Sequence, residues 1–349
     1  MKPFLFILGT RPEAIKLLPL VWEFQKRDLP FEILHTDQHT ELLDTMFAHH
    51  AIVPNYRLSI GKQSDLAQTK IEMLSQMRDI LTPQKFSSVI VQGDTLSTLV
   101  GAEYGFFHAI PVIHIEAGMR TYCNEDPYPE EAFRRMISTV ATLHFCPSED
   151  EARNLRREGI PHTQIFTVGN TFADYWNTIS KPNVTPKKQI LITLHRRENL
   201  SYIDRIFDAL AELSKELNEY HFLFPLHPNP AIVSCAEAHL RGVSNFCLTA
   251  PMKPDEFYRE LLRSEMIVTD SGGVQEECIF HAKKILILRK VSERRSNFPF
   301  SILVDPEDPF LKNKFYTLLK QPNKESHSDY YGRGDSAKKI ADILLKQKA

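Results

Sequence analysis

Two small polar residues, two glycines and a run of acids follow an apolar stretch in Thr269-Asp270-Ser271-Gly272-Gly273-Val274-Gln275-Glu276-Glu277. Glycines at a strand-to-helix turn let backbone N–H groups approach an anion at the positive end of the helix, which is the chemistry of a phosphate cradle. Of the two carboxylates in the next turn, one is placed to reach a ribose hydroxyl, so a nucleoside diphosphate fits the pattern. The bland reading of the same residues is an ordinary βα turn capped by Ser271.

Polar groups recur at equivalent positions. Gly9-Thr10-Arg11, Gly93-Asp94-Thr95, Glu116-Ala117-Gly118, His195-Arg196-Arg197-Glu198 and His227-Pro228-Asn229 each follow an apolar run. Singly they have dull explanations: Asp94 or Thr95 as a helix cap, Glu116 as a surface carboxylate, His195 as a packed histidine. With Asp270-Ser271-Gly272-Gly273, six such sets at strand ends weaken those explanations jointly. The first half supplies carboxylates, Asp94, Glu116 and Glu130-Glu131; the second supplies His195, Arg196, Arg197 and the cradle. Carboxylates facing one another in a dry cleft raise each other's pKa, keeping an acid and a base at neutral pH, while arginines and helix N-termini hold a diphosphate. Glu130 and Glu131 fall in the first turn of an expected helix, where complementarity to the macrodipole explains one of them equally well.

Competing chemistries find little support. None of the 14 histidines lies in a His-Glu-x-x-His pair, and His49-His50 occupy adjacent helix positions that face different ways, so no metal site is expected. No Gly-x-Ser-x-Gly elbow offers a serine nucleophile. The cysteines Cys123, Cys146, Cys235, Cys247 and Cys278 lack paired spacing and read as reduced packing residues.

The elements that position these groups alternate in kind along the whole chain. Strands are expected at Phe4–Leu8, Phe31–His35, Ser88–Gln92, Pro111–Ile115, Leu143–Cys146 and Ile165–Val168, with a clear helix over Pro12–Lys26 that Pro19 should kink. The rhythm breaks around Ser180 to Lys188, the best linker candidate. A second series follows: Gln189–Leu194, His221–Leu226, Phe246–Thr249, Met266–Thr269, Lys284–Leu288 and Ser301–Val304. Alternating strands and helices give an α/β fold of two Rossmann-like domains facing a cleft, with ligands beyond the carboxyl ends of the strands.

Composition agrees. A chain of 349 residues, 42% apolar and 25% charged, suits about two domains of roughly 150 residues. Its net charge of −2, without blocks of one sign, points to neither nucleic acid nor a membrane surface as partner. Gly9 to Pro12 cuts the first apolar run short of a signal or spanning segment, so a cytoplasmic location is expected.

With these residues assembled, the chain resembles the non-hydrolysing UDP-N-acetylglucosamine 2-epimerases along nearly its whole length. Gly9-Thr10-Arg11-Pro12-Glu13-Ala14-Ile15-Lys16 is similar to the family's opening motif. Gln92 to Thr95, His114 to Thr121 and Pro129-Glu130-Glu131 resemble its acidic motifs. Gly169-Asn170-Thr171, His195 to Glu198, Thr269 to Glu277 and Tyr331-Gly332-Arg333-Gly334 follow in the family's order. The resemblance implies a glycosyltransferase-B-like fold: residues 1–172 carrying the acids, residues 187–335 binding UDP, and a terminal helix over 336–349 packing back on the first domain. It also implies a homodimer, a role in cell-surface polysaccharide biosynthesis, and no cofactor. The implied reaction interconverts UDP-GlcNAc and UDP-ManNAc by eliminating UDP to 2-acetamidoglucal and re-adding it with inversion at C2. By motif position Asp94, Glu116, Glu130 and His195 are catalytic, and Arg11, Lys16, Ser271, Gly272, Gly273, Glu277 and Arg294 contact the UDP-sugar.

The chain departs from the family in two places. Arg289-Lys290-Val291-Ser292-Glu293-Arg294-Arg295-Ser296 keeps Glu293 and Arg294 but adds positive charge, so an N-acetylated uronate sugar is an alternative substrate. Gln38 to Asp44 departs in a segment that bacterial relatives tie to activation by a second substrate molecule. The rival activities are a hydrolysing epimerase releasing ManNAc and UDP, a glycosyltransferase of the same fold and a non-catalytic UDP-sugar binder. Arg11-Pro12-Glu13, where the hydrolysing relatives carry Arg-Ala-Glu, favours the isomerase.

Overall fold

The computed structural model describes residues 1–38, 40–61, 65–178, 184–294, 298–323 and 328–347. His39 in the divergent Gln38–Asp44 segment, residues 180–183 of the expected linker, and Arg295 and Ser296 lie outside the described residues. Contacts divide the chain into two compact units, residues 1–180 with 331–349, and residues 181–330.

In the first unit, β1 (Phe4–Leu8), α1 (Arg11–Lys26), β2 (Phe31–His35), α2 (Thr40–His49), β3 (Tyr56–Arg57) and α3 (Leu66–Ile80) precede β4 (Ser88–Gln92) and α4 (Leu96–Phe107). There follow β5 (Val112–Ile115), α5 (Glu130–Val140), β6 (Leu143–Cys146), α6 (Glu149–Arg157), β7 (Ile165–Thr167) and α7 (Thr171–Thr178). The sheet is wholly parallel, in the order β3-β2-β1-β4-β5-β6-β7. Every residue of β1 and β4 is buried, as expected of strands covered by helices on both faces, and this is why β1, and β4 from Val89 to Val91, are apolar without alternation. The short β3 at the sheet edge has no counterpart among the expected strands, because two residues carry no periodic signal.

Helix α1 starts on a capping box: Thr10 accepts the N–H of Glu13 while the Glu13 carboxylate returns to the Thr10 N–H at 2.7 Å. The helix continues through Pro19, which is buried.

The second unit repeats the plan. It contains β8 (Gln189–Thr193), α8 (Ile203–Glu216), β9 (His221–Pro225), α9 (Pro230–Leu240), β10 (Phe246–Thr249), α10 (Pro254–Arg263) and β11 (Met266–Thr269). After these come α11 (Gly272–Phe280), β12 (Lys284–Leu288), β13 (Ser301–Val304) and α12 (Leu311–Leu319), on a parallel sheet ordered β10-β9-β8-β11-β12-β13. Ile190, Ile192, Phe222, Phe224, Met266 and Val268 pack under Ile206, Phe207 and Leu210 of α8, forming its main core.

The last helix, α13 (Ser336–Lys346), belongs to the first unit. Asp174 of α7 accepts its first N–H groups, Ser336 at 3.2 Å and Ala337 at 2.9 Å, and Arg27 reaches Asp342 at 2.6 Å. The return begins earlier, where Tyr331 O accepts the Asn170 N–H at 2.7 Å.

Strand order reverses between β1 and β4 in one sheet and between β8 and β11 in the other. Such switch points open a crevice between diverging βα loops, the usual place for a ligand on an open parallel sheet. The loops there carry Gly9 to Arg11 and Gly93-Asp94 in the first unit, and His195-Arg196 and Asp270 to Gly273 in the second. Among the described residues no helix is long and apolar enough to cross a membrane.

Candidate active site

At the first switch point the chain is locked by Glu13. Its buried carboxylate accepts Gly9 N–H at 3.0 Å, Thr10 N–H at 2.7 Å, Thr95 Oγ1 at 2.7 Å and Thr98 Oγ1 at 3.0 Å, tying the loop after β1 to the loop after β4. Burial pushes its pKa up, against the pull of these four donors. Gly9 is required by close approach, since a Cβ there would lie 2.0 Å from Thr36 Oγ1 and 2.2 Å from Ser97 Oγ.

Glu116 follows β5 with φ +64°, a left-handed conformation that costs a non-glycine residue on the order of 1–3 kcal/mol. Its carboxylate is buried, forms an ion pair with Lys16 of α1, and accepts Gln92 Nε2 at 2.6 Å. Asp94 is held by Arg134 of α5, whose Nε lies at 2.8 Å and Nη2 at 2.6 Å from Oδ2. Arg134 also reaches Glu131 at 3.0 Å, and Glu131 accepts the N–H groups of Thr121 at 2.9 Å and Tyr122 at 3.0 Å. Glu131 therefore organises the turn ahead of α5, while the half-buried Glu130 opens the helix one turn before Arg134.

His114 donates its Nε2 proton to the Gly93 carbonyl at 2.8 Å, fixing the turn that presents Asp94. Complete burial pushes its pKa down to about 3, so the ring is neutral. Arg11, the first residue of α1, is half-buried.

The expectation of carboxylates facing one another included no cation, and the structure places one beside each of two acids. Asp94 and Glu116 each lean on a cation from a helix, because a charge partner offsets more of the desolvation cost than a second carboxylate could.

At the second switch point the organiser is Asp270, fully buried after β11. Its Oδ2 accepts His195 N–H at 3.1 Å, Arg196 N–H at 3.0 Å and Asn199 Nδ2 at 3.1 Å, while Oδ1 lies 3.2 Å from His195 Nδ1. Arg196 Nε returns to the Asp270 carbonyl at 2.9 Å. With Nδ1 turned to the carboxylate, Nε2 is the ring nitrogen left for chemistry. Burial lowers the His195 pKa; Asp270 pulls it up, and Arg196 and His227 push it down again. The rings of His195 and His227 stack with centroids 5.7 Å apart. Beyond β9 and β10 lies a cavity of about 540 Å³, lined by His227, Phe246 and Thr249 among others.

Ser271 occupies the N-cap position of α11 but makes no side-chain cap, contrary to the bland reading of this turn. A Cβ on Gly272 would lie 2.3 Å from Arg294 Nη1 and 2.7 Å from its Cζ, so the glycine lets a guanidinium lie against the helix start. Gly273 is exposed, with nothing within 4 Å of a Cβ. Arg294 is held there by Glu276, 2.6 Å from Nε, and by Glu293. Glu293 also takes Arg289 Nη1 at 2.8 Å. Glu277, one position on from Glu276 and half-buried, points another way around the helix.

The expected site residues thus fall into groups within each unit: Lys16 with Glu116, Asp94 on the next turn of chain after Gln92, His195 on Asp270, and Ser271, Gly272 and Gly273 beside Arg294. Sequence reasoning assigned no role to Arg134 or Asn199, and it named Glu131, Asp270 and Glu276 within their motifs without the organising contacts they make. Arg134 carried a signal, lying three and four residues after two acids on one helix face; Asn199 carried none.

Comparison with known proteins follows the same outline. The sequence profile of the UDP-N-acetylglucosamine 2-epimerase family matches residues 23–345. The enzyme of that name from Neisseria meningitidis is 35% identical over 99% of both chains. The crystal structure of the UDP-GlcNAc 2-epimerase from Neisseria meningitidis bound to UDP-GlcNAc superposes with a TM-score of 0.86 at 32% identity, over 99% of this chain and 100% of that one. The Methanocaldococcus jannaschii UDP-GlcNAc 2-epimerase, in complex with UDP-GlcNAc and UDP, gives a TM-score of 0.85 at 29% identity with the same coverage.

Proposed function

The chain belongs to the UDP-N-acetylglucosamine 2-epimerase family, and from that premise we propose that it interconverts UDP-GlcNAc and UDP-ManNAc without net hydrolysis. The C2 hydrogen of the sugar is barely acidic, so a base must take it as the C1–O bond breaks. The pair of electrons left at C2 forms the C1–C2 double bond of 2-acetamidoglucal, and UDP leaves with the C1 oxygen. Proton return to the opposite face of C2 and re-addition of UDP at C1 complete the inversion.

In this reading Asp94, Glu116 and Glu130 move protons at the sugar, with His195 acting from its Nε2. Arg11, Lys16, Ser271, Gly272, Gly273 and Arg294 hold the UDP, and Glu277 takes its ribose. The observation that carries the proposal is the start of α11: an uncapped helix N-terminus, an open Gly273, and the Arg294 guanidinium laid against Gly272. Positive charge already in place at a departing diphosphate needs no reorganisation as the bond breaks, and is commonly worth roughly 3 to 4 kcal/mol per donor. Lys16 supports the reading differently, since its ion pair with Glu116 joins a cation to a proton-transfer group.

Incubation with UDP-GlcNAc in deuterated water, followed by NMR, tests the assignment. Deuterium at C2 in a mixture of intact epimers supports it. Free ManNAc with UDP identifies a hydrolase, and no exchange identifies a transferase or a binder. Asp94→Asn abolishes exchange while UDP affinity stays within about threefold; near-normal exchange removes Asp94 from the chemistry. Exchange on an N-acetylated uronate UDP-sugar, absent with UDP-GlcNAc, reassigns the substrate alone.

A further inference from the structure

On the outer face of the second unit, helices α8 and α9 bring four side chains of metal-binding type together. Asp204 and Asp208 stand one turn apart on α8, and Cys235 and His239 one turn apart on α9. Cys235 Sγ lies 3.1 Å from Asp204 Oδ1, and His239 Nε2 lies 3.0 Å from the same oxygen. The ligand atoms of Asp204, Cys235 and His239 all fall within 4.8 Å of one another. His239 Nδ1 faces Asp208 Oδ1 at 2.7 Å. We infer that Asp204, Cys235 and His239 form a surface site for a borderline-soft divalent cation, zinc by class, with Asp208 orienting the histidine.

The donor set selects the ion. One thiolate, one imidazole and one carboxylate suit tetrahedral Zn²⁺, whereas calcium and magnesium take oxygen ligands alone. Bonds of about 2.0 to 2.3 Å place tetrahedral ligands about 3.3 to 3.8 Å apart. The two pairs that share Asp204 Oδ1 stand a few tenths of an ångström inside that spacing, as hydrogen-bonded donors do before an ion separates them, and the third pair lies within 4.8 Å. His239 directs Nδ1 to a carboxylate and Nε2 to the ligand group, the arrangement that sets the tautomer of zinc-bound histidines. A water completes the fourth position.

The thiol of Cys235 and the Nε2–H of His239 each donate to Asp204 Oδ1, whereas a zinc ligand must be a thiolate and an unprotonated ring nitrogen. Entry of the ion therefore expels the thiol proton and the His239 Nε2 proton. Contiguous motifs could not reveal the site, because each helix contributes one i,i+4 pair and the pairs meet only through packing of α8 on α9.

Co²⁺ is the probe, titrated into the full chain under reducing conditions. The expected result is a sulfur-to-cobalt charge-transfer band that saturates at one equivalent, releases protons, and vanishes on adding Zn²⁺. His239→Ala weakens binding at least tenfold, Cys235→Ser abolishes the band, and Cys247→Ser, at an exposed cysteine elsewhere, changes nothing. Should Cys235→Ser fold poorly, Zn²⁺ raises the unfolding midpoint of the parent chain but not of His239→Gln. Absence of the band, undiminished Co²⁺ affinity in His239→Ala, or loss of the band in Cys247→Ser overturns the site.

Discussion

Lys16 and Glu116 meet as a buried ion pair at the end of the first sheet, one from the helix after β1 and the other from the turn after β5. Neither element is near the other in sequence, yet the parallel order β1-β4-β5 sets their loops side by side. Gln92 joins the same carboxylate oxygen, so the acid is aimed from two directions.

Because both charges are buried, removing one deprives the other of its ion-pair partner, a loss of about 3 to 5 kcal/mol. Lys16→Met and Glu116→Gln should each lower stability by that order, and the double variant by clearly less than the sum. Urea unfolding of the four proteins measures the coupling, expected at about 1 to 3 kcal/mol. Additive losses mean the two side chains do not depend on each other.

The two cradle glycines separate by their surroundings. Gly272→Ala pushes the Arg294 guanidinium off α11 against its anchors Glu276 and Glu293, and should weaken UDP at least tenfold with a small loss of stability. Gly273→Ala meets nothing and should gain about 0.5–1 kcal/mol of helix stability, while still weakening UDP by crowding the anion. Calorimetric titration with UDP beside thermal unfolding gives both quantities. If UDP binds Gly273→Ala as tightly as the parent, the anion does not sit on this helix start.

Asp270→Asn keeps the shape of the side chain but removes the charge facing His195 Nδ1. Burial, Arg196 and His227 already lower that histidine, and Asp270 is the largest of the contributions that oppose them, so its pKa should fall further in the variant. NMR titration of labelled His195 reads the shift directly, with C2 exchange expected to drop by on the order of 10²- to 10⁴-fold. An unchanged titration shows that the carboxylate does not act through the ring.

Arg134→Lys leaves one ammonium where a guanidinium serves both Asp94 and Glu131. A lysine cannot present the same fork, so the C2 exchange rate should fall at least tenfold with little change in UDP affinity. Arg135→Lys, exposed on the same helix, serves as control and should behave as the parent. Equal exchange rates in the two variants would falsify a positioning role for Arg134.

The docking of α13 carries a pH signature. Burial raises Asp174 to about 6 from 3.8, so at pH 7 the folded state holds a charged carboxylate at a cost. That cost disappears as pH falls through 6 towards 3.8, where the folded form keeps a proton the unfolded form lacks. Asp174→Asn has no such proton to take up. Relative to it, the parent should gain up to about 1.4 kcal/mol per pH unit between pH 6 and 4. Urea unfolding of both at pH 7 and pH 5 checks the sign; a pH-independent difference removes the titration from Asp174.

Most of the scaffold was legible before any coordinates. Strands such as Phe4–Leu8 and Met266–Thr269 are apolar runs bounded by glycine or polar residues, and a two-faced parallel sheet demands such runs. The residues at their carboxyl ends were legible for the same reason: Asp94, Glu116, His195 and Ser271 stand where an apolar strand stops and a polar group has no packing duty. What local pattern could not carry was partnership. Arg134 on Asp94, Lys16 on Glu116, Asp270 under His195 and Arg294 against Gly272 join residues whose approach depends on strand order and helix packing. The residue types by themselves thus determined the chemistry this chain can offer and the elements that carry it. Only the tertiary structure decided which cation holds each acid, because the energy of a buried charge depends on its neighbours in space rather than along the chain.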